Sequence, residues 1–161
     1  MRKLKTGLSI FLIIILFASL GMAADKPTNE RTFKATLSGK EKVPPVQTKA
    51  KGEAKFQLSK EGDKLTYTLI VSNIRDVTGG YIHKGKKGEN GPPLIDLFTE
   101  PKKEDIRGTL LAEGKVEPYL LIGPLKGKSL ESLILLMEAG EAYVNIQTKK
   151  HPDGEIRGQI K

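Results

Sequence analysis

From residue 33 onward, apolar and polar side chains alternate with a period of two through much of the chain. That period turns one face of a β-strand toward a core and the other toward water. Phe33, Ala35 and Leu37 share one face while Lys34 and Thr36 share the other. Ala54, Phe56 and Leu58 repeat the pattern against Glu53, Lys55 and Gln57. Leu65, Tyr67, Leu69 and Val71 do so against Thr66, Thr68 and Ile70. Between the last two runs, Lys60-Glu61-Gly62-Asp63 has the composition of a tight turn, so the two strands are predicted to form a hairpin. Val43-Pro44-Pro45-Val46 cannot lie inside a central strand, because neither proline has an N–H for the ladder. It is expected as a crossing loop or an edge.

Shorter strands are expected at Leu94–Phe98, Arg107–Leu111 and Tyr119–Ile122. The period then changes. Leu130, Leu133, Ile134 and Met137 fall at i, i+3, i+4 and i+7, which predicts a helix of about three turns over Ser129–Gly140, with Ser129 as its cap and Gly140 in the left-handed position after it. Strands at Ala142–Thr148 and Glu155–Ile160 follow, joined by the turn His151-Pro152-Asp153-Gly154. Many short strands and one short helix near 129–139 predict an all-β fold, an antiparallel β-sandwich or Greek-key barrel. No domain boundary interrupts it.

The beginning of the chain has a different character. Arg2, Lys3 and Lys5 precede the apolar run Ile10–Phe17, and Gly21-Met22-Ala23 offers small residues at its exit. This is the three-part pattern of a secretory signal over residues 1–23. A retained anchor helix is the other reading of the same stretch. Residues 24–32 are polar and expected to be a flexible lead, with the folded domain over 33–161. The expected location is outside the cytoplasm, periplasmic or extracellular, with no membrane span left after cleavage.

Composition narrows the chemistry. The chain of 161 residues is 38% hydrophobic and only 6% aromatic, with 17 glycines and 9 prolines, in keeping with one turn-rich β domain. It has no cysteine, which excludes disulfides, thiolate metal sites, cysteine nucleophiles and a lipoprotein anchor. The formal net charge is +8; without the three basic residues of the signal, 24 basic face 19 acidic residues, a net +5. Lysines such as Lys34, Lys40, Lys42 and Lys55 are scattered among apolar and polar neighbours. They are expected to form a solvated strand face, and could also attract an anionic envelope polymer. No nucleic-acid recognition motif is present.

His83 and His151 are the only histidines, too few for a redox copper or structural zinc site. A calcium site from Asp96, Asp153 and Glu155 lacks a supporting loop motif. No serine occupies a nucleophile elbow. Gly85, Gly88 and Gly91 are followed by Pro92-Pro93 rather than a helix, so a surface loop is expected in place of a phosphate cradle. Glu155 and Arg157 share a strand face; they could rim a site for an anionic partner, but a cross-strand ion pair is the preferred reading. Tyr143 and Asn145 also share a face. Tyr143 is expected under the Gly85–Gly91 loop, and Asn145 is expected to satisfy that loop's backbone.

Several segments in order resemble the CHRD domain, the module named after chordin. They are Phe33–Gly39 with Glu41 and Val43–Val46, then Leu65-Thr66-Tyr67, then Ile82-His83-Lys84-Gly85 with Gly88, Asn90, Gly91 and Pro92. Ala139-Gly140, Ala142–Ile146 and Gly154–Ile160 complete the series. The resemblance implies an extracellular all-β module with a strand plan distantly like copper/zinc superoxide dismutase. It also implies protein binding in chordin-like proteins, with no assigned activity in microbial ones. Where that plan has a His-x-His pair and a later histidine, this chain has Tyr81 before His83, and Gln147. The expectation is therefore a monomeric binding or structural module without catalysis, cofactor or metal. Its partner would be an extracellular protein or anionic envelope polymer, met through Tyr81, His83, Tyr143, Asn145, Gln147, Glu155 and Arg157. The alternative is a dismutase-like copper or zinc protein that binds through His83.

Overall fold

The computed structural model describes residues 31–98, 103–104 and 108–161. The expected signal, residues 24–30 of the expected lead, and the first residue of the expected Arg107–Leu111 strand lie outside the described residues. Among the described residues nine strands form one sheet: β1 (Arg31–Ser38), β2 (Lys51–Leu58), β3 (Leu65–Ser72), β4 (Val77–Lys84), β5 (Pro93–Asp96), β6 (Lys103–Glu104), β7 (Leu110–Val116), β8 (Ala142–Thr148) and β9 (Ile156–Gln159). Their order across the sheet is β5-β4-β8-β9-β1-β2-β3-β7-β6, and every pairing is antiparallel. The sheet curls into an open half-barrel around the core. The Tyr67 hydroxyl of β3 donates to the Leu97 carbonyl just after β5, joining two regions far apart in that order.

Period two sets which side chains enter the core. Along β2 and β3 every second residue is buried, from Gly52 to Leu58 and from Leu65 to Val71. The hairpin between them turns through Gly62 at φ +77°, with the Ser59 amide bonded to the Lys64 carbonyl at 2.8 Å. The helix α1 (Leu130–Glu138) buries Leu130, Leu133, Ile134 and Met137, the apolar stripe that the spacing predicts. Gly140 follows at φ +66°. Ser129 does not cap α1 with its side chain; its carbonyl takes the Ser132 amide instead.

Three local expectations change. Tyr119–Ile122 is not a strand. Glu117-Pro118 opens a 3-10 turn over Pro118–Leu120, because proline's fixed φ and missing N–H suit a turn start, and only Leu121 forms a lone bridge to Ile95. The strand expected at Arg107–Leu111 lies further on, at Leu110–Val116, where it completes a ladder with β3 from Leu65↔Val116 to Val71↔Leu110. β1 begins at Arg31, whose guanidinium pairs with Glu138 at the end of α1.

β9 lies in the middle of the sheet although it is last in the chain. It pairs with β8 on one side, and on the other it meets β1 through Ser38↔Arg157 and mutual amide–carbonyl bonds between Lys34 and Lys161. Gly158 permits this approach, since a Cβ there would stand 2.5 Å from the Thr36 carbonyl oxygen. Ile156 and Ile160 are fully buried. No helix among the described residues is long and apolar enough to cross a membrane.

Candidate functional site

The side chains of β4, β8 and β9 that point away from the core are polar or aromatic: Tyr81 and His83, Tyr143, Asn145 and Gln147, then Arg157 and Gln159. Such a face would ordinarily be wet, but two loops fold back over it. One connects β1 to β2 and carries Lys42 and Val43–Val46, with the Val43–Pro44 peptide cis. The other is residues 85–92, between β4 and β5. The second loop is tied down by the strands beneath it. Gln159 donates to the Gly85 carbonyl at 2.9 Å, and Arg157 donates to the Lys86 carbonyl at 2.8 Å. The Gly91 amide donates to the Tyr143 hydroxyl at 3.2 Å. Asn90 joins the two loops by donating to the Val43 carbonyl at 2.7 Å.

Under these loops three side chains from adjacent strands stack. The His83 ring lies nearly parallel to the Tyr143 ring, with centroids 5.2 Å apart. Arg157, from the strand on the other side of β8, places its guanidinium carbon 3.5 Å from the Tyr143 centroid. Tyr81 meets His83 edge-on at 5.9 Å. Gly79 leaves room for that arrangement, since a Cβ there would meet the Tyr81 ring at 2.5 Å and the Gln147 side-chain oxygen at 2.9 Å. Burial raises the Tyr81 phenol pKa, with Asp96 adding to the effect.

His83 Nδ1 lies 2.8 Å from the Gly91 carbonyl oxygen. A carbonyl only accepts, so Nδ1 carries the proton. Nε2 then holds a lone pair, is buried, and has no hydrogen-bond partner among the described residues. Burial pushes the imidazole pKa down; the Gly91 bond opposes that, and Lys42 and Arg157 add to it.

Two cations are buried here without a carboxylate in ion-pair contact among the described residues. Arg157 is 1% exposed and Lys42 is 7% exposed. The expected ion pair between Glu155 and Arg157 does not form. Glu155 instead accepts from Thr48 at 2.6 Å and Thr148 at 2.9 Å, fastening the β1–β2 loop to the end of β8. Arg157 is drawn the other way by Tyr143 and the loop carbonyl, with Glu41 and Glu89 supporting its charge from a distance. The Lys42 ammonium donates to Asn145 Oδ1 at 2.9 Å and to the Asp153 carbonyl at 2.7 Å. Asn145 is thus committed to Lys42 and the 151–154 turn rather than to the Gly85–Gly91 backbone, because its Oδ1 takes the Lys42 ammonium and its amide donates to the Asp153 carbonyl at 3.3 Å. Lys42, grouped by sequence with solvated lysines, is a buried one. Its pKa is lowered by burial first and by Arg157 second, with Asp153 opposing.

Beside these cations opens a cavity of about 660 Å³. Its walls include Lys42, His83, Asn145, Gln147, Lys150 and Asp153, and Val43, Pro44, Val46 and Pro152 add an apolar side. Of the seven candidate residues, His83, Tyr143, Asn145 and Gln147 reach this wall. Arg157 backs it, while Tyr81 and Glu155 stand outside it. Sequence reasoning did not bring Lys42, Asn90 or Lys150 to the site, and considered Asp153 only as a calcium ligand. The apolar segment Val43–Val46 directly after Lys42 was the one local sign that this lysine leaves solvent. No three His, Asp or Glu side chains group together among the described residues in a way that could hold a metal, and the residues around His83 do not suit one. Asp96, Asp153 and Glu155 do not converge as a calcium site.

One curled antiparallel sheet, with its polar outer face roofed by two loops around a cavity, defines an all-β module. The chain belongs to the CHRD domain family: the family model of the CHRD domain matches residues 33–160.

Proposed function

We propose that this chain is an exported, non-catalytic binding module that receives an extracellular protein or an anionic envelope polymer in the cavity between the two loops. The observation that carries the reading is the cavity itself, a concave site of ligand size whose backing is held rigid by the His83–Tyr143–Arg157 stack. Catalysis has little support. His83 spends Nδ1 on a backbone carbonyl, and no hydroxyl bonds to either imidazole among the described residues. The copper or zinc alternative at His83 meets an electrostatic objection, since Lys42 and Arg157 bear on the imidazole and would repel a metal cation.

The test is to plug the cavity. Val46→Trp should abolish capture of exported proteins and wall polymer by the immobilised protein while leaving its melting temperature unchanged. Capture that survives the plug would move the binding surface elsewhere.

A further inference from the structure

We propose that the cavity binds a ligand bearing a carboxylate group, with the Lys42 ammonium as the group that holds it. The inference rests on the reading of this cavity as the binding site. Lys42 is almost wholly buried, yet its two acceptors are both neutral, Asn145 Oδ1 and the Asp153 carbonyl. An ammonium has three N–H donors, so one has no acceptor among the described residues. A buried ammonium with no carboxylate in contact among the described residues is costly to maintain, and Arg157 raises that cost by adding a second buried cation nearby, which Asp153 offsets only from a distance. The ammonium belongs to the cavity wall. Both of its acceptors line the cavity, and a Cβ on Gly154, another wall residue, would come within 2.5 Å of Lys42 Nζ.

The charge and shape of the wall narrow the ligand. Among the described residues that line the cavity, Lys42 and Lys150 are cationic and Asp153 alone is anionic, an excess of one positive charge that a monoanion would balance. No arginine among the described residues lines the cavity, so the planar fork that favours a phosphate dianion is missing there. Val43, Pro44, Val46 and Pro152 offer an apolar wall, which suits an organic carboxylate with an aliphatic body better than an inorganic ion. Gln147 brings an amide that can hydrogen-bond the same ligand. A carboxylate at Lys42 would also reverse the depression of its pKa.

Hexanoate is the probe, titrated into the purified full chain while the side-chain amides of Asn145 and Gln147 are followed by NMR. Saturable shifts of both are expected. Hexanamide, neutral and of the same shape, should bind at least about tenfold more weakly, and so should hexanoate to Lys42→Met. Hexyl phosphate should bind more weakly than hexanoate. Equal binding of hexanoate and hexanamide to the unaltered protein would overturn the proposal even if Lys42→Met failed to fold. So would unchanged affinity in a folded Lys42→Met, or tighter binding of hexyl phosphate. Absence of hexanoate binding together with partner capture that Val46→Trp abolishes would overturn the carboxylate assignment alone. Absence of hexanoate binding together with capture that resists the plug would overturn the cavity as the binding site as well.

Discussion

Arg157 rests its guanidinium on the face of Tyr143, the guanidinium carbon 3.5 Å from the ring centroid, in a position that is 1% exposed. The guanidinium also reaches the Lys86 carbonyl at 2.8 Å and the Asn90 and Gln159 side-chain oxygens at 3.4 Å. One residue of β9 therefore holds the 85–92 loop, orders Tyr143 and sets the positive potential behind the cavity. Its charge is met by a π-face and neutral oxygens rather than by a carboxylate, which keeps the region electropositive toward a ligand.

That arrangement makes the identity of the cation matter. Arg157→Ala should destabilise the protein by about 2 kcal/mol or more, since it removes the contact over the ring and leaves a loop carbonyl without its donor. Arg157→Lys should recover little, because an ammonium cannot span the same oxygens while lying flat on Tyr143. Denaturant unfolding midpoints check both. A lysine variant as stable as the parent would show that charge alone suffices.

His83 should make stability fall as the solution turns acidic. Its folded pKa lies below the ordinary value of about 6.5, so the unfolded chain binds more protons between the folded value and about 6.5. Protonation then favours unfolding, and stability contributed by the neutral imidazole is lost as pH drops through that window. Melting temperatures of the parent and His83→Gln, measured from pH 7.5 to pH 5, should converge or cross as pH falls. Parallel curves would mean that the imidazole protonates as freely as in the unfolded chain.

Gly154 is a tight steric point of the site, and the one that touches Lys42. It sits at φ +112°, and a Cβ there would fall 2.1 Å from Asn145 Oδ1 and 2.5 Å from Lys42 Nζ. Gly154→Ala should displace the Lys42–Asn145 bond and cost about 1–3 kcal/mol. The Asn145 side-chain amide resonances should shift with it. Unmoved resonances would place the turn differently.

Loss of β9 should remove cooperative folding. Truncation after Gly154 deletes Ile156, Arg157 and Ile160 from the centre of the sheet and leaves β1 and β8 without their shared neighbour. Burial of two isoleucines alone is worth roughly 3–6 kcal/mol before entropy, close to the whole stability of a small domain. Calorimetry of the truncated chain should show no sharp transition. A melt within a few degrees of the parent would contradict the placement of β9.

Export is open to direct measurement. The basic start, apolar run and Gly21-Met22-Ala23 exit predict a mature protein that begins at Ala24 or Asp25. N-terminal sequencing of protein recovered from outside the cell checks this, and recovery of Met1 would contradict cleavage.

Strand alternation in Phe33–Leu37, Ala54–Leu58 and Leu65–Val71, the apolar stripe of α1 and the turn at Gly154 were all readable along the chain. Each is a local periodicity or a local backbone demand, so neighbours in sequence carry the signal. β4 was legible only through the CHRD resemblance, because Gly79 and Gly80 interrupt its alternation while making room for Tyr81, Gln147 and Phe98. The site was legible on one side only. Tyr143 and Asn145 could be placed on a common face of β8, but not what would cover that face. Lys42 bonds a carbonyl 111 residues away, and Arg157 one 71 residues away. Apart from the apolar Val43–Val46 that follows it, Lys42 reads the same whether it ends in water or under a loop. Burial of Lys42 and Arg157 is decided when the β1–β2 and 85–92 loops fold back over the sheet. That event depends on contacts between distant segments and leaves no period in the sequence.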